Sequence, residues 1–474
     1  MAFWNRRKAI DTLTHHREGH RLIPTLGWPS LIALGVGATV GTGIYTLIGV
    51  GAGLAGPGVI LSFVIAGLVC IVSALAYAEM STLMPAAGGA YTYTYAVLGE
   101  LLAWIVGWSL ILEYTLVCSA VAVGWSVHAA EFIHAAHWPI PEALMVGPYA
   151  GGIVNLPAVL ITAAVGALLI VGTQESAVVN MVLVVIKLIA LAIFITLAGS
   201  AFDISHFHPF LPYGFSERGP DGVKVGVMAA ASIIFFAFYG FDTISTAAEE
   251  TRDPGRNLTI GIIGSMVICI VIYMAVAGAA VGASPPSVFS KADAPLVFIL
   301  DALHRPLAAK LVAGAAVLAL PTVILAFMYG QSRIFFVMAR DGLLPEGLSR
   351  VNPRTGTPVV MTIITAVFAA ALAGLLTLKE IAEVANAGTL CAFIAVAVSM
   401  MVLRMREPNR PRVFKAPVWW LVGPLAIGGC LYLFSSLPTM TIIRFFAWNA
   451  IGLVIYLVFA RRSSLLGREA ELEA

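Results

Sequence analysis

The fold is decided by the first long apolar stretch of the chain, which contains "GATVGTGIYTLIGVGAG" at residues 37–53. Glycines recur every few residues through it, and Thr42 lies between Gly41 and Gly43. Each glycine weakens a helix by roughly 1 kcal/mol relative to alanine. A simple membrane anchor needs an unbroken helix, so the stretch predicts a helix that is interrupted near mid-membrane at Gly41-Thr42-Gly43.

The composition indicates a polytopic membrane protein. Of the 474 residues, 60% are hydrophobic and 11% are charged, whereas a soluble domain is about 25% charged. We expect no cleavable signal peptide, because the first 27 residues are polar and basic. A transmembrane helix needs about 20 apolar residues. Twelve stretches qualify, at approximately 29–54, 57–84, 98–127, 154–173, 177–199, 224–249, 258–282, 308–331, 358–377, 382–404, 417–436 and 441–461.

The distribution of lysine and arginine predicts the orientation. The N-terminal arm, the loops after the even-numbered spans and the C-terminal tail hold 19 of the 27 basic residues. The opposite side holds seven, and the remaining one, Lys187, lies within a span. Both termini are therefore expected to be cytoplasmic, in a multi-pass protein of the cytoplasmic membrane.

Metal, cofactor and nucleic-acid sites are not expected. The five cysteines all fall inside apolar stretches and form no CxxC pair. His128, His134 and His137 form a loose cluster after the third span, but no cysteine or tight carboxylate pair joins them. No basic patch interleaved with aromatic residues occurs outside the membrane flanks, so nucleic acid is not an expected partner.

A second interruption is predicted in span 6, "VGVMAAASIIFFAFYGFDTISTAAEET", at Phe238–Asp242. Broken spans at corresponding positions of two halves are typical of a transporter binding site. Irregular backbone is tolerated in a membrane only where it lines a cavity or a ligand. The alternative for span 1 is close helix packing, because "GVGATVG" has GxxxG-like spacing.

The two breaks favour a zwitterionic ligand. Half-helix N-termini carry partial positive charge and spare N–H groups, which suit a carboxylate. Half-helix C-termini leave carbonyl groups unpaired, which suit an ammonium group. A small α-amino acid matches both ends.

Four motifs carry a family resemblance: "GTGIY" after the glycine-rich lead-in, "YAEMSTLMPAAGGAYTYTY" at 77–95, "FFAFYGFDTISTAAEETRDPGRNL" at 235–258 and "YGQSRIFFVMARDGLLP" at 329–345. They resemble the amino acid–polyamine–organocation (APC) superfamily, most closely its cationic amino acid transporter family and bacterial relatives. The resemblance implies an all-α, leucine-transporter-type fold with twelve transmembrane helices, of which helices 1 and 6 are discontinuous. The implied divisions are a cytoplasmic arm (1–27), inverted repeats of spans 1–5 (28–200) and 6–10 (201–404), spans 11 and 12 (405–461) and a cytoplasmic tail (462–474). Residues 286–304 read as an amphipathic outer helix.

The resemblance also implies where an amino acid substrate binds. Its carboxylate would meet the backbone N–H groups of Gly41, Thr42 and Gly43. Its amine would meet carbonyl groups around Phe236, Ala237 and Tyr239. Phe236 is either an aromatic lid over the site or ordinary core.

Lys187 lies about ten residues into span 5, near mid-bilayer. A charge at that depth is costly and indicates function by default. In proton-linked members of the superfamily a span-5 lysine occupies the place of the coupling cation between spans 1 and 8, and span 8 here offers Thr322 but no carboxylate. We interpret Lys187 as a proton-coupling residue, with a permanently charged structural strut as the alternative.

Two further acids were assigned to the substrate site. Glu113, in the middle of span 3, either faces the substrate side chain or bonds to a neighbouring helix. Asp242 either contacts the ligand or caps the second half of span 6. Two acids are compatible with arginine or lysine as substrate, but the same family includes carriers of small neutral amino acids.

Three more acids, Glu79, Glu249 and Glu250, lie near the predicted cytoplasmic face. We expect them to form ion pairs at a gate, with Arg252, Arg256 or loop arginines. Solvated surface charge is the alternative.

The function that fits these observations is a secondary active transporter of L-amino acids, cationic or small and neutral, coupled to protons and working by alternating access. Its expected partners are the amino acid, the proton and membrane lipids, and a small single-span accessory subunit is compatible with the sequence. An amino acid or polyamine exchanger without proton coupling and a transceptor are the alternatives. An enzyme is not expected, because no set of His, Glu or Asp residues converges at one membrane depth.

Overall fold

We examined a computed structural model of the chain. It describes residues 6–10, 26–86, 88–135, 141–171, 177–219, 222–349 and 359–472. Within these residues the protein is all-α apart from one short hairpin, and eight helical stretches are long and apolar enough to cross a membrane. Four shorter apolar helices accompany them, at Trp28–Thr39, Leu156–Val171, Val227–Ala237 and Val359–Leu375. The all-α, polytopic fold class is thus confirmed, and the number of twelve spans stays a prediction.

The first half of the chain forms seven α-helices that begin and end as follows: α1 Trp28–Thr39, α2 Ile48–Ala55, α3 Val59–Leu83, α4 Ala90–Val97, α5 Glu100–Ala135, α6 Leu156–Val171 and α7 Ala177–Gly199. The connection that follows contains an antiparallel hairpin of two residues a strand, β1 Glu217–Arg218 and β2 Lys224–Val225.

The second half contains helices of very different length: α8 Val227–Ile234, α9 Thr243–Thr246, α10 Pro254–Ala283, α11 Pro286–Phe289, α12 Pro295–Ala302, α13 Pro306–Arg340, α14 Val359–Leu375, α15 Leu378–Arg406, α16 Trp419–Ser436, α17 Thr439–Ile455, α18 Arg461–Ser463 and α19 Leu465–Leu472. The segment 286–304 forms the two short helices α11 and α12 instead of the single outer helix that the sequence suggested.

Both predicted helix breaks are confirmed. Helix α1 ends at Thr39, Val40 is extended, and the chain re-enters helical geometry through a π-helical turn at Gly43–Leu47 before α2. Helix α8 continues as a 3₁₀ turn over Phe235–Ala237, and residues 238–242 are irregular before α9 begins.

Gly240 allows the two breaks to touch. Its φ is +125°, a backbone conformation that L side chains rarely adopt. A Cβ at this position would lie 2.8 Å from the carbonyl carbon of Ala38 and 2.9 Å from the amide nitrogen of Thr39. Glycine therefore lets the span-6 break pack directly on the backbone at the end of α1.

The helices around the breaks form one packed core. Helix α5 packs against α13 and α15, α3 packs against α10, and α1 contacts both α7 and α10. Small residues permit this approach, because a Cβ on Gly35 would lie 2.5 Å from the hydroxyl of Ser265. The breaks are thus surrounded by long, continuous helices that hold them in place.

One side of the protein, here called the arm side, carries the described residues of the N-terminal arm. Lys8 forms an ion pair with Asp341 at 2.5 Å, and the backbone N–H of Glu100 donates to the carbonyl of Arg6 at 2.9 Å. Leu26 forms a parallel bridge with Thr251, just beyond α9. The arm therefore ties the start of α1 to the end of the broken span 6.

Candidate functional site

A cavity of about 10 Å³ lies between the two breaks and against α5 and α13. That volume is about what one water molecule requires, so the cavity must widen before a larger molecule can enter. It is lined by Ala38, Thr39, Gly41, Thr42, Gly43, Val117, Val121, Phe236, Tyr239, Val323 and Phe327. Of the nine residues predicted for the site, five line this central cavity: Gly41, Thr42, Gly43, Phe236 and Tyr239.

The walls of the central cavity are apolar and carry no charge. Val117 and Val121 of α5 face Val323 and Phe327 of α13, and Phe236 packs edge-on against the ring of Tyr239 with centroids 5.0 Å apart. Apolar lining of this kind accommodates an apolar ligand group. Phe327 lies within the part of span 8 predicted to bound the pocket, whereas the three valines were not predicted.

The polar groups at the cavity come from the breaks. Within the described chain, the backbone N–H groups of Gly41 and Thr42 donate to no protein acceptor, and the carbonyl groups of Phe236 and Tyr239 accept from no protein donor. The buried hydroxyls of Thr42 and Tyr239 also lack a hydrogen-bond partner there. Unpaired buried groups are costly in an apolar environment, which makes them available to a ligand that supplies both a donor and an acceptor.

Close packing explains why two of the glycines are required. A Cβ on Gly43 would lie 2.5 Å from the Cβ of Ala237, closer than real Cβ atoms approach one another. Ala237 itself does not line the cavity but contacts it through this glycine. At Gly41 the nearest atom to an added Cβ is Cγ2 of Val323, at 3.5 Å, so Gly41 faces the cavity without being crowded.

Lys187 is fully buried and contacts the end of α1. Its Nζ donates to the carbonyl of Gly37 at 2.8 Å and to the hydroxyl of Thr322 at 3.1 Å. The lysine therefore joins α7, α1 and α13 just below the span-1 break. It does not line the central cavity, so any effect on the ligand passes through α1.

Tyr273 of α10 makes a similar contact that the sequence did not reveal. Its hydroxyl donates to the carbonyl of Thr39 at 2.9 Å. The last turn of α1 thus has two of its exposed carbonyl groups satisfied by side chains from neighbouring helices, as unpaired carbonyls at a helix end require.

Asp242 does not cap α9 with its side chain, although it occupies the N-cap position. Its Oδ1 accepts from the backbone N–H of Gly240 at 3.0 Å, and its Oδ2 accepts from the hydroxyl of Tyr114 at 2.8 Å. Tyr114 packs edge-on against Phe327, which lines the cavity. Asp242 therefore lies one layer behind the wall and stabilises the irregular backbone of the break.

Glu113 is fully buried and also lies outside the lining of the central cavity. Neither of its carboxyl oxygens has a hydrogen-bond partner in the described part of the chain. Its Cβ faces α15, because a Cβ added to Gly388 would lie 3.1 Å from it. The structure places this acid toward α15, not at the ligand side-chain end where it was predicted.

Comparison with known proteins gives the family. The amino acid permease family matches residues 26–460. The chain belongs to this family of the APC superfamily. It is 41% identical to the branched-chain amino acid permease BcaP of Bacillus subtilis, over 98% of this chain and 99% of the relative. It is 36% identical to the methylthioribose transporter of the same organism, over 98% and 99%. It is 38% identical to the vacuolar cationic amino acid transporter 2 of Arabidopsis thaliana, over 85% of this chain and 63% of that relative.

The match confirms the predicted superfamily and its nearness to the cationic amino acid transporters. The permease is a multi-pass membrane protein and an amino acid transporter, not an enzyme, since its relatives are named as permeases and transporters.

The arm side of the permease is closed by an ion pair different from those expected. Glu250 pairs with Arg333 of α13 and also accepts from the hydroxyl of Tyr329 at 2.9 Å. The Arg333 guanidinium lies 3.2 Å above the Tyr329 ring. A pairing between residues 250 and 333 cannot be read from the sequence, because it depends on α13 packing beside α9.

Glu79 of the permease also pairs with loop and helix arginines, as predicted. Arg404 makes two contacts of 2.7 Å with the two carboxylate oxygens of Glu79, and Arg412 lies 3.1 Å from one of them. Burial lowers the pKa of Arg412 below its usual value. The cluster links α3 to the connection before α16.

Proposed function

We propose that the permease carries neutral, apolar L-amino acids, with branched-chain side chains as the preferred class, coupled to protons and by alternating access. The observation that carries the proposal is the chemistry of the central cavity. Unpaired backbone N–H and carbonyl groups from the two breaks suit the carboxylate and ammonium groups of an α-amino acid. Valine and phenylalanine side chains surround the remaining space.

The same observation argues against a cationic substrate. A buried guanidinium or ammonium group needs a nearby charge partner, and no acid is among the residues that line the cavity. Asp242 is already bonded to Gly240 and Tyr114, and Glu113 faces α15. The apolar wall supports the substrate class named for the Bacillus subtilis branched-chain permease in preference to that named for the Arabidopsis cationic transporter.

Lys187 is the proposed coupling residue. When its ammonium group bonds the Gly37 carbonyl, α1 is held against α7 and α13. Loss of the proton removes the donor and frees α1 to tilt, so protonation and the position of α1 become linked. An exchanger with a permanently charged Lys187 is the alternative.

Alternating access is supported by the closure of both sides of the site. The Glu250–Arg333 pair closes the arm side, and α8 packs beside α2 on the opposite side. A cavity of about 10 Å³ cannot admit an amino acid in this conformation. We propose that α1–α7 and α8–α15 act as inverted repeats that move relative to each other, with the arm side facing the cytoplasm because it holds most of the basic residues.

Uptake by purified permease in proteoliposomes tests the proposal. Labelled L-leucine is supplied with and without an inward proton gradient, and unlabelled isoleucine, valine, arginine and methylthioribose are added as competitors. We expect gradient-stimulated uptake that isoleucine and valine inhibit at least tenfold more strongly than arginine does. Stronger inhibition by arginine, or by methylthioribose, would replace the proposed substrate class with that of the corresponding relative.

A further inference from the structure

A second cavity, with a volume of about 240 Å³, lies on the side opposite the arm. We call it the outer cavity. It is bounded by the β1–β2 hairpin, by α8, by the start of α15 and by the α16–α17 connection. Its volume is many times what one water requires and is suited to a small organic molecule. Residues used below that line it are Leu54, Arg218, Lys224, Ile233, Lys379 and Glu383.

Glu383 gives this cavity a specific polar group. The residue is only 6% exposed, and its Oε2 accepts from the hydroxyl of Thr441 at 3.0 Å. Its other oxygen, Oε1, is buried and has no hydrogen-bond partner within the described chain. A buried carboxylate oxygen without a donor is costly. A ligand with an ammonium group would satisfy it.

The rim of the outer cavity carries the opposite charge. Arg218 and Lys379 both line the cavity and neither forms an ion pair with a described acid. Lys224 is instead occupied, since its Nζ donates to the carbonyl groups of Ser435 and Leu437 at 2.6 and 2.9 Å. Two available cations and one buried acid disfavour a ligand that is only an anion or only a cation. They match a zwitterion whose carboxylate lies at the rim and whose ammonium lies at Glu383.

The position of the outer cavity relates it to the transport path. Its floor includes Ile233 of α8, and Leu54 at the end of α2 forms part of its wall. Helix α8 continues into the 3₁₀ turn that carries Phe236, which closes the central cavity. A molecule in the outer cavity therefore contacts the half-helix that must move for the central cavity to open.

We infer that the outer cavity is a second binding site for zwitterionic amino acids, which Glu383 holds by the ammonium group and Arg218 and Lys379 hold by the carboxylate. The inference rests on the proposed function for the choice of amino acid. The site loads amino acid at the mouth of the permease before α8 opens. The central cavity does not contain these residues, so the two sites are separable by mutation.

The number of leucine molecules bound per permease tests the inference. Labelled L-leucine is titrated onto purified full-length protein in lipid nanodiscs, using wild type, Glu383→Gln, and Glu380→Gln as the matched control. Glu380 lies one turn earlier on α15, faces Arg444 at 3.9 Å and does not line the cavity. A charge-assisted hydrogen bond lost from a buried site weakens binding by about tenfold or more. We expect two leucines for wild type and Glu380→Gln, and one in the same concentration range for Glu383→Gln.

Two further variants separate a folding defect and a failure of the proposed function from a failure of the inference. Lys379→Ala changes an exposed rim residue and should weaken only the second binding event, by several-fold. Gly43→Val obstructs the central cavity and should leave one leucine bound. A single leucine in wild type, or two in Glu383→Gln, would overturn the outer site while leaving the proposed function intact. No leucine bound to any variant would overturn the proposed function itself.

Discussion

Replacement of Lys187 by methionine is the most informative perturbation of the proposed coupling. Methionine fills a similar buried volume but cannot donate, so the Gly37 carbonyl loses the 2.8 Å contact that ties it to α7. A hydrogen bond from a charged group contributes about 1.5–3 kcal/mol. The docked position of α1 should therefore lose a factor of about 10 to 150 in population, and that population should no longer respond to pH.

A graded result is expected from Thr322→Val, because it removes only the 3.1 Å contact between the hydroxyl and Nζ of Lys187. A neutral partner contributes about 0.5–1.5 kcal/mol, so the factor should be about 2 to 10. Lys310→Met provides the control, since Lys310 begins the same helix α13 but is exposed at the opposite side.

The assay is the initial rate of L-leucine uptake into proteoliposomes, expressed as the ratio of rates with and without an inward proton gradient. The ratio should fall to about one in Lys187→Met, take an intermediate value in Thr322→Val and equal the wild-type ratio in Lys310→Met. Gradient stimulation of wild-type size in Lys187→Met would refute the reasoning. Coupling would then have to be sought at Glu113 or Asp242.

Three other changes probe the cavity and the arm side. Gly43→Ala adds a methyl group that overlaps the span-6 turn, and overpacking of about 1–3 kcal/mol should weaken leucine binding at least fivefold in a titration. Val323→Ala enlarges the apolar wall, and because a missing methylene in a pocket is worth about 1–3 kcal/mol, competition assays should show valine losing affinity relative to phenylalanine. Arg333→Gln breaks the pair with Glu250, so the Leu26 amide, which donates to the Glu250 carbonyl at 3.0 Å, should exchange its hydrogen faster; an unchanged exchange rate would show that the pair does not hold the arm.

The helix breaks were predictable because the chemistry that makes them is local. Glycine at positions 41, 43 and 240 weakens helix formation wherever the helix packs, and both interruptions are found where the sequence placed them. The burial of Lys187 was likewise predictable from its depth in an apolar span, since no polar surface lies within reach of its side chain.

The direction in which a buried side chain points was not predictable. Glu113 and Val117 are one helical turn apart on α5, yet Val117 lines the cavity and Glu113 faces Gly388 of α15. The rotation of a helix that is buried on all sides has no signature in hydrophobic periodicity. For the same reason the sequence suggested an acidic pocket, and the structure shows an apolar one.

Pairings between distant segments were also inaccessible. The bonds of Asp242 to Gly240 and Tyr114 depend on the path of the irregular backbone, and N-cap preference alone pointed to a local role. The contact of Tyr273 with the end of α1 joins residues 234 positions apart. Such contacts follow from the packed arrangement of the helices and not from any local pattern.

The most direct test of the central claim is the movement of protons with leucine when no gradient is imposed. Wild-type permease is reconstituted in vesicles that contain a pH-sensitive dye, and L-leucine is added outside at equal internal and external pH, with the membrane potential clamped. The account predicts acidification of the vesicle interior in proportion to the leucine taken up, and no acidification with Lys187→Met. Leucine uptake by the wild type at an unchanged internal pH would contradict proton coupling and identify the permease as a facilitator or an exchanger.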